Sequence, residues 1–321
     1  MYSANRSERN IDISIITINY NLADEIENCL NSLLNVLGSQ NTITYEVIVV
    51  DNNSPDKKLS LVEEKSQNES IHFYYSEKNL GFGQGNNFGF SKSSGKYLCF
   101  LNPDTIVKEE IFSRIIDLFE QDKILGIIGP RQQVRAPFFD FSAGFSPNIF
   151  FELFNLIGIG VFLEGFLMNF YSKFAKKNYF EVNWILGAAI FIKADLFSKI
   201  GGFDKDYFMF YEEVDLCKRV INEGFKVIYN PQYKIYHIGS VSAKKDYRLY
   251  TIRTYSSKNI FISKHFKTLH KLLMRILLIA QVFSQILIWT IFWPIKKQKS
   301  NQKLSAFIYL LKHNLKYEHR D

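Results

Sequence analysis

The sequence predicts an α/β fold with a mostly parallel central sheet, followed by a basic helical region. Apolar, β-branched runs of strand length alternate with segments of helical periodicity over residues 11–130. Polar residues follow the ends of those runs, and residues 241–321 mix lysine and arginine with long aliphatic stretches. Alternating strands and helices build right-handed βαβ units, so the sheet is expected to be buried on both faces.

Four runs have the composition of buried strands: 11–21, 45–54, 71–77 and 95–104. After the first run, apolar residues from Ile26 to Leu37 recur at helical spacing, and a second helix is expected to start at Ser54 and Pro55. In such sheets ligands bind beyond the carboxyl ends of the strands. The polar residues 19–21, 51–53 and 102–104 are therefore expected to share one edge.

Residues 136–178 are rich in aromatic residues, interrupted by glycine and nearly uncharged. Two interpretations are open for this segment. It is either ordinary core with loops, or an apolar surface for a lipid or a lipid-linked substrate.

Charge is distributed unevenly along the 321 residues, whose net charge is +7. Residues 241–321 carry 16 basic and 3 acidic residues, whereas residues 1–240 carry 23 and 29. Such a basic segment is expected to bind an anionic surface. Its charges alternate with aliphatic runs rather than with stacking aromatics, which favours a membrane surface and argues against nucleic acid.

The stretch 272–295 has three placements. Residues 276–295 lack charge and are long enough to span a bilayer. Gln281, Ser284 and Gln285 share one helical face, however, which favours a helix lying in the membrane interface. A helix packed on the rest of the protein is the third placement. Trp289 and Trp293 suit an interfacial position.

Three cysteines, Cys29, Cys99 and Cys217, lie far apart without metal-binding spacing, so a reducing compartment is expected. The first ten residues are polar and lack the apolar core of a signal peptide. Together these features predict a cytoplasmic protein.

Three motifs carry candidate chemistry. The glycine-rich run 79–90 does not fit the dinucleotide fingerprint and predicts a turn into a helix whose N–H groups face a ligand, or a plain turn. Residues 211–219 place three acids at a helix start, where Asp215 is expected to pair with Arg219 and Glu212 or Glu213 to act as a general base. His237 ends a late strand, where a lone histidine is more often structural.

The order of these motifs resembles the family 2 glycosyltransferases, inverting enzymes of the GT-A fold. It is a strand with Asn19 and Tyr20, a strand with "DNNS", "NLGFGQGNN", a strand with "NPD", "WILGA", "GGFD", "YEEVDLC" and a strand with a histidine. The rhamnosyl- and galactofuranosyl-transferase-like branch is the most similar. The resemblance covers about residues 11–240.

The resemblance implies a role for each matching residue. Donor binding would involve Asn19, Tyr20, Asp51, Asn53, Gly81, Gly83, Asn86, Asn87 and Asn102. A divalent cation, Mg²⁺ or Mn²⁺, would be held by Asp104 and His237, Asn102 standing where the family's first acid is usual. Glu213 would be the base, with Glu212 beside it and glutamate where aspartate is common. Trp184, Gly187 and Ala188 would line the acceptor side.

The resemblance further implies transfer of a sugar from a UDP- or dTDP-linked donor to a hydroxyl of a glycan in cell-surface polysaccharide synthesis. The glycan acceptor is expected to be lipid-linked. Residues 1–240 would form the catalytic domain, with a nucleotide-binding half at 11–130 and an acceptor half at 131–240. Residues 241–321 would hold the protein at the inner face of the cell membrane, as a peripheral or monotopic protein. Asn102 and Glu213 also motivate an alternative, a non-catalytic nucleotide-sugar-binding or scaffold subunit.

Overall fold

The computed structural model describes residues 11–38, 43–132, 139–174, 178–238 and 246–316. The N-terminal segment 1–10 and the predicted domain boundary at 240 lie outside these residues. The strands are β1 (Ile13–Asn19), β2 (Tyr45–Asp51), β3 (Ile71–Tyr75), β4 (Tyr97–Leu101), β5 (Thr105–Ile106), β6 (Leu125–Gln132), β7 (Ala143–Gly144), β8 (Phe180–Glu181), β9 (Trp184–Ile185), β10 (Ala189–Lys193) and β11 (Lys226–His237).

Eleven helices connect and follow these strands within the described ranges. They are α1 (Ala23–Leu37), α2 (Leu59–Lys65), α3 (Gly81–Ser91), α4 (Phe112–Gln121), α5 (Ile149–Leu156), α6 (Gly160–Phe174), α7 (Ala194–Lys199), α8 (Glu212–Asn222), α9 (Tyr247–His265), α10 (Thr268–Ile291) and α11 (Lys297–Lys312).

The main sheet has the strand order β3-β2-β1-β4-β10-β6-β11-β5, with β8 beside β11. Strands β3, β2, β1 and β4 are mutually parallel, and so are β6 and β11. Strand β10 runs antiparallel to both of its neighbours, β4 and β6. Strands β7 and β9 form a small separate antiparallel pair. The predicted α/β fold with a mostly parallel sheet is confirmed.

Strand β1 shows why the sheet is buried on both faces. All seven of its residues are buried. Ile13 and Ile15 belong to the core cluster under α1 and α4, whereas Ile16 and Ile18 belong to the cluster under α3, α7 and α8. Successive side chains of a strand point to opposite faces, so a continuous β-branched run supplies two cores.

Two predicted elements differ from the structure. Helix α2 begins at Leu59 rather than at Ser54, because the Ser54 N–H donates to the Asp51 carboxylate and fixes a turn. The glycine-rich run is the body of helix α3 rather than a turn before it. A Cβ atom at Gly89 would lie 2.5 Å from Ile16 Cγ2, so glycine allows this helix to pack directly on β1.

The C-terminal helices α9, α10 and α11 enclose a core of their own. Within the described residues, α10 is the one helix long and apolar enough to cross a bilayer, and 22% of its apolar window is buried. Gln281 lies on its buried side and is 2% exposed. The polar face predicted to lie at a membrane interface therefore packs inward at Gln281, against α5 and α9, because Gln281 hydrogen-bonds to Glu152 and Lys258.

Apolar side chains of α5 and α6 are exposed over the described part of the aromatic segment, which excludes residues 136–138 and 175–177. The exposed residues are Phe150, Leu153, Ile157, Ile159, Val161, Phe162, Phe166, Phe170, Tyr171 and Phe174. Helix α5 packs against α10, whose outer side is also apolar. The described part of this segment thus contains both buried core residues, such as Phe151 and Met168, and this exposed apolar surface. Its use by a lipid or a lipid-linked substrate stays a prediction.

Candidate active site

The ends of β1 and β2 form one side of the site. Asn19 and Asp51 are partners in the parallel register, and Asn19 Nδ2 donates to Asp51 Oδ1 at 2.8 Å. The Ser54 N–H donates to Asp51 Oδ2 at 3.1 Å, and Asn19 Nδ2 also reaches Ser54 Oγ at 2.9 Å. Tyr20 follows directly and is 44% exposed. The buried Asp51 carboxylate and the exposed Tyr20 ring therefore lie at the same edge of the sheet.

Asn52 was not among the predicted residues, yet it joins β2 to the loop before α3. Its Nδ2 donates to Asn79 Oδ1 and to the Gly81 carbonyl, both at 3.0 Å. Its Oδ1 accepts from the Leu80 N–H at 2.9 Å. The polar run after β2 is the sequence feature that could have identified Asn52, although the sequence predicts a role for its neighbour Asn53 instead. Asn53 has a left-handed backbone with φ of 58°.

The N-terminus of α3 lies against the loop before α8. Gly81 has φ of 76°, and a Cβ atom there would lie 2.2 Å from the Phe208 carbonyl oxygen. That carbonyl accepts from the Phe82 N–H at 3.0 Å. A Cβ atom at Gly83 would lie 3.6 Å from Cβ of Glu212. The two glycines therefore let the predicted donor loop approach the predicted base.

Asn86 and Asn87 use their side chains inside the protein. Asn86 is buried, and its Nδ2 donates to the Phe82 carbonyl at 3.0 Å. Asn87 Nδ2 donates to the Phe203 carbonyl at 2.7 Å, and its Oδ1 accepts from the Phe203 N–H at 2.9 Å. The two hydrogen bonds of Asn87 hold α3 and the turn around Phe203 together. A role of either amide in donor binding stays a prediction.

Glu212 and Glu213 begin helix α8, the first buried and the second half-buried. Loss of water around them, with mutual repulsion, raises the pKa of Glu212 well above its ordinary value. Loss of water likewise raises the pKa of Glu213 to about 7, although backbone N–H groups of the first turn oppose this. Within the described residues, Oε2 of each carboxyl accepts no hydrogen bond. A carboxyl in this state can take up a proton near neutral pH.

The segment after β9 links the base to the "NPD" turn. A Cβ atom at Gly187 would lie 3.8 Å from Cβ of Glu213. The neighbouring Ala188 is buried, and its carbonyl accepts from the Asn102 N–H at 2.9 Å. Small residues at 187 and 188 thus bring two predicted parts of the site together.

Two further side chains support this segment. Trp184 Nε1 donates to Ser146 Oγ at 3.2 Å, which orients the indole. Gln132, which the sequence did not single out, donates from Nε2 to the Leu186 carbonyl at 2.8 Å. No local pattern marks Gln132, because its partner lies more than fifty residues away along the chain.

Asp104 and His237 meet because β5 pairs with the end of β11. His237 Nε2 lies 3.2 Å from Asp104 Oδ1, and the Ile238 N–H donates to the Asp104 carbonyl at 3.0 Å. The buried atoms Asn102 Oδ1 and His237 Nδ1 have no hydrogen-bond partner among the described residues.

These residues fit a divalent cation as a minimal protein site. Two ligand atoms 3.2 Å apart can bind the same ion, and Asn102 Oδ1 remains free as a neutral oxygen donor. The described ranges contain no group of three His, Cys, Asp or Glu side chains suited to a metal. Most ligands of such a cation would have to come from a phosphate-bearing substrate and from water.

Residues 14–180 match the family model described as glycosyl transferase family 2. The chain belongs to this family. The match includes the ends of β1, β2 and β4 and ends before Glu213 and His237.

Curated relatives of family 2 are similar over most or part of the chain. The low-salt glycan biosynthesis hexosyltransferase Agl10 of Haloferax volcanii is 27% identical over 220 residues, which cover 67% of this chain and 64% of Agl10. The rhamnosyltransferase WbbL of Escherichia coli is 24% identical over 237 residues, 70% of this chain and 83% of WbbL. The chain spans only 13% of the minor teichoic acid biosynthesis protein GgaB of Bacillus subtilis.

Solved structures show the fold. The mannosyltransferase PcManGT from Pyrobaculum calidifontis, in complex with GDP-Man and Mn²⁺, matches with a TM-score of 0.59 at 15% identity, over 97% of this chain and 90% of PcManGT. S. aureus TarS 1-349 matches with a TM-score of 0.53 at 14% identity, over 95% and 82%. The predicted GT-A type fold is confirmed.

Proposed function

We propose that this protein is an inverting glycosyltransferase that moves a sugar from a nucleotide-sugar to a hydroxyl of a glycan in cell-surface polysaccharide synthesis. One observation carries the proposal. The half-buried Glu213, whose pKa is raised, lies beside Gly187, where a Cβ atom would be 3.8 Å from the Glu213 Cβ. The carbonyl of the next residue, Ala188, accepts from the Asn102 N–H. A candidate base and a candidate diphosphate site therefore lie next to the same short segment.

The proposed chemistry assigns a task to each of these groups. Glu213 accepts the proton of the acceptor hydroxyl as that oxygen attacks the anomeric carbon. The nucleoside diphosphate leaves from the opposite face of the sugar, so the configuration is inverted. Asp51, Asn19 and Tyr20 bind the nucleoside of a UDP- or dTDP-linked donor, and Trp184 lines the acceptor side.

Asp104 and His237 would hold the divalent cation, Mg²⁺ or Mn²⁺. The bound cation supplies positive charge that neutralises the departing diphosphate. Support comes from their 3.2 Å separation and from the unpartnered oxygen of Asn102 in the described site. PcManGT, a structure of the same fold, contains Mn²⁺. An imidazole ligand favours Mn²⁺ over Mg²⁺.

The names of relatives support a glycan acceptor. One relative over 82 residues, at 29% identity, is the N-acetylglucosaminyl-diphospho-decaprenol L-rhamnosyltransferase of Mycobacterium tuberculosis. On this basis we propose that the glycan acceptor of this chain is lipid-linked. The proposed division remains a catalytic domain at 1–240 and a helical region at 241–321.

Metal-dependent hydrolysis of the donor tests the function without an acceptor. Among UDP-, dTDP- and GDP-sugars with Mn²⁺ or Mg²⁺, we expect one donor to be hydrolysed and chelation to stop the reaction. The matched control omits the protein and keeps the metal. If calorimetry shows that a nucleotide-sugar binds, but neither hydrolysis nor transfer to a glycan acceptor occurs, the non-catalytic binding or scaffold subunit is supported instead.

A membrane position at the inner face of the cell membrane completes the proposal. The outer side of α10 and the residues after it expose apolar side chains: Leu269, Leu272, Leu273, Ile276, Ile279, Phe283, Leu287, Ile291, Phe292, Trp293 and Ile295. Exposed cations flank these residues at Lys267, Lys296 and Lys297, and the exposed Arg275 lies among them. Apolar area with flanking positive charge suits an anionic bilayer.

Flotation with vesicles tests this position. We expect the protein to float with vesicles that contain anionic lipid and to float less as salt is raised, because part of the attraction is electrostatic. The double variant Leu272→Glu, Leu287→Glu should no longer float with the vesicles. The matched control Leu61→Glu, at an exposed leucine of α2, should float like the parent. Equal flotation of the double variant and the parent would contradict a membrane role for α10.

A further inference from the structure

The backbone immediately before the candidate base is strained. Phe210 has φ of 72° and Tyr211 has φ of 68°, the left-handed region that residues with a side chain rarely adopt. Glu212 and Glu213 follow at once, so the position of both carboxyls depends on this turn. Strain of this kind persists only where surrounding contacts over-determine the conformation.

Helix α9 of the C-terminal region supplies those contacts. Ser257 Oγ donates to the Met209 carbonyl at 3.0 Å, directly before the strained pair. The ring of Phe210 packs on that of Tyr250, with centroids 4.9 Å apart.

The second strained residue has its own partner on α9. The Tyr211 ring lies 5.8 Å from that of Phe261, and Phe261 joins Val214 in a small buried cluster. Arg253 places its guanidinium 4.7 Å from the centre of the Phe208 ring. Successive turns along one face of α9 thus contact every residue from 208 to 211.

The first turn of α8 is fixed from the same helix. His265 Nε2 lies 2.6 Å from Asp215 Oδ1, and Arg219 Nε donates to Asp215 Oδ2 at 2.7 Å. Asp215 is fully buried. The predicted Asp215–Arg219 pair is present, but its carboxylate also binds a histidine from fifty residues later in the chain.

Helix α9 is itself anchored by a buried polar network. Lys258 Nζ pairs with the Glu152 carboxylate of α5 and donates to Gln281 Oε1 of α10 at 3.0 Å. All three side chains are buried. A buried charge pair of this kind fixes the orientation of the helices that carry it, because separating the charges leaves each unpaired.

We infer that α9 is a positioning element of the catalytic site, in which Ser257 and His265 hold the strained turn and the first turn of α8 so that Glu213 faces the acceptor. Ser257 and His265 touch neither substrate nor cation and act through residues 208–215. The inference rests on the proposed function for its catalytic meaning. It makes the C-terminal region a part of the active centre rather than a membrane anchor alone.

Four variants of the full chain test the inference. Ser257→Ala removes one hydroxyl, and His265→Ala removes the contact with Asp215. His265→Gln retains an N–H donor and is the rescue variant. Arg248→Ala is the matched control, because Arg248 lies on α9 but bonds to Ser305 of α11, away from the turn.

We expect Ser257→Ala and His265→Ala to lower kcat for donor turnover about tenfold or more, since small misplacements of catalytic groups are costly. The KM for the donor should stay within about twofold, because the nucleotide side is untouched. His265→Gln should recover part of kcat, and Arg248→Ala should match the parent. An unchanged kcat in both alanine variants, or a loss confined to KM, overturns the inference.

Amide hydrogen exchange of segment 208–216 gives a readout that needs no turnover. Exchange there should quicken in Ser257→Ala and His265→Ala and remain at the parental rate in Arg248→Ala and at α3. Parental exchange in both alanine variants overturns the inference. If the parent turns over no donor, the proposed function fails, and exchange alone decides whether α9 holds the turn.

Discussion

Glu213→Gln lowers the rate of sugar transfer about 10²–10⁴-fold, the range that a positioned general base contributes. Glutamine keeps the size of the side chain but cannot accept the proton of the acceptor hydroxyl. The measurement is kcat for transfer at pH 8, with nucleotide binding measured in parallel. Binding should be unchanged, because the proposed nucleotide contacts lie at the ends of β1 and β2, away from Glu213.

Stability separates this loss from unfolding. Burial raises the pKa of Glu213 from 4.5 to about 7, so the native state binds more protons than the unfolded state between these values. The free energy of unfolding contributed by Glu213 is therefore lost as the pH rises through about 7. Glu213→Gln lacks this loss and should melt no lower than the parent at pH 8.

The pH profile supplies the internal check. The base works only when deprotonated, so kcat/KM of the parent should rise with pH through about 7. That limb should vanish from the residual activity of Glu213→Gln. A folded Glu213→Gln protein that transfers sugar at the parental rate would exclude Glu213 as the base.

Asp104→Ala lowers metal-dependent turnover about 10²-fold or more, the scale on which loss of one electrostatic stabiliser of developing charge is felt. Asp104 provides the one carboxylate of the pair with His237. The measurement is kcat across a Mn²⁺ titration, and the rate should recover only in part at high Mn²⁺. Asp117→Ala, at an exposed aspartate of α4, is the matched control.

Metal binding without nucleotide sharpens this test. Asp104 and His237 offer one charge and one imidazole, and Asn102 can add only a neutral oxygen. Mn²⁺ should therefore bind weakly to the nucleotide-free protein and much more tightly with a nucleoside diphosphate present. Tight binding of Mn²⁺ without nucleotide, unchanged by Asp104→Ala, would place the cation elsewhere.

Local patterns were enough to predict the sheet edge and part of the site. Continuous apolar runs of strand length identify β1, β2 and β4, and parallel pairing then brings Asn19 beside Asp51. The Asp215–Arg219 pair follows from helical spacing alone. Each of these predictions depends on neighbours in sequence or on one rule of sheet geometry.

Other features needed the folded chain. The glycine-rich run predicts a turn because glycine has a low helix propensity. The helix α3 forms there because the absence of side chains allows close packing on β1. The spacing of Gln281 predicts the polar face of an interfacial helix, but Gln281 is buried by hydrogen bonding to Glu152, 129 residues away. Periodicity shows that a helix has two faces and does not show which neighbour covers each.

Local spacing and motif order are enough to predict the α/β class, the family and the residue types at the strand ends. The folded structure was needed to show that Asn52 bonds to the loop before α3, that Gln132 supports the segment beside Glu213, and that His265 binds Asp215. Each of these contacts joins residues far apart along the chain. Their formation depends on how whole elements pack, which no local pattern records.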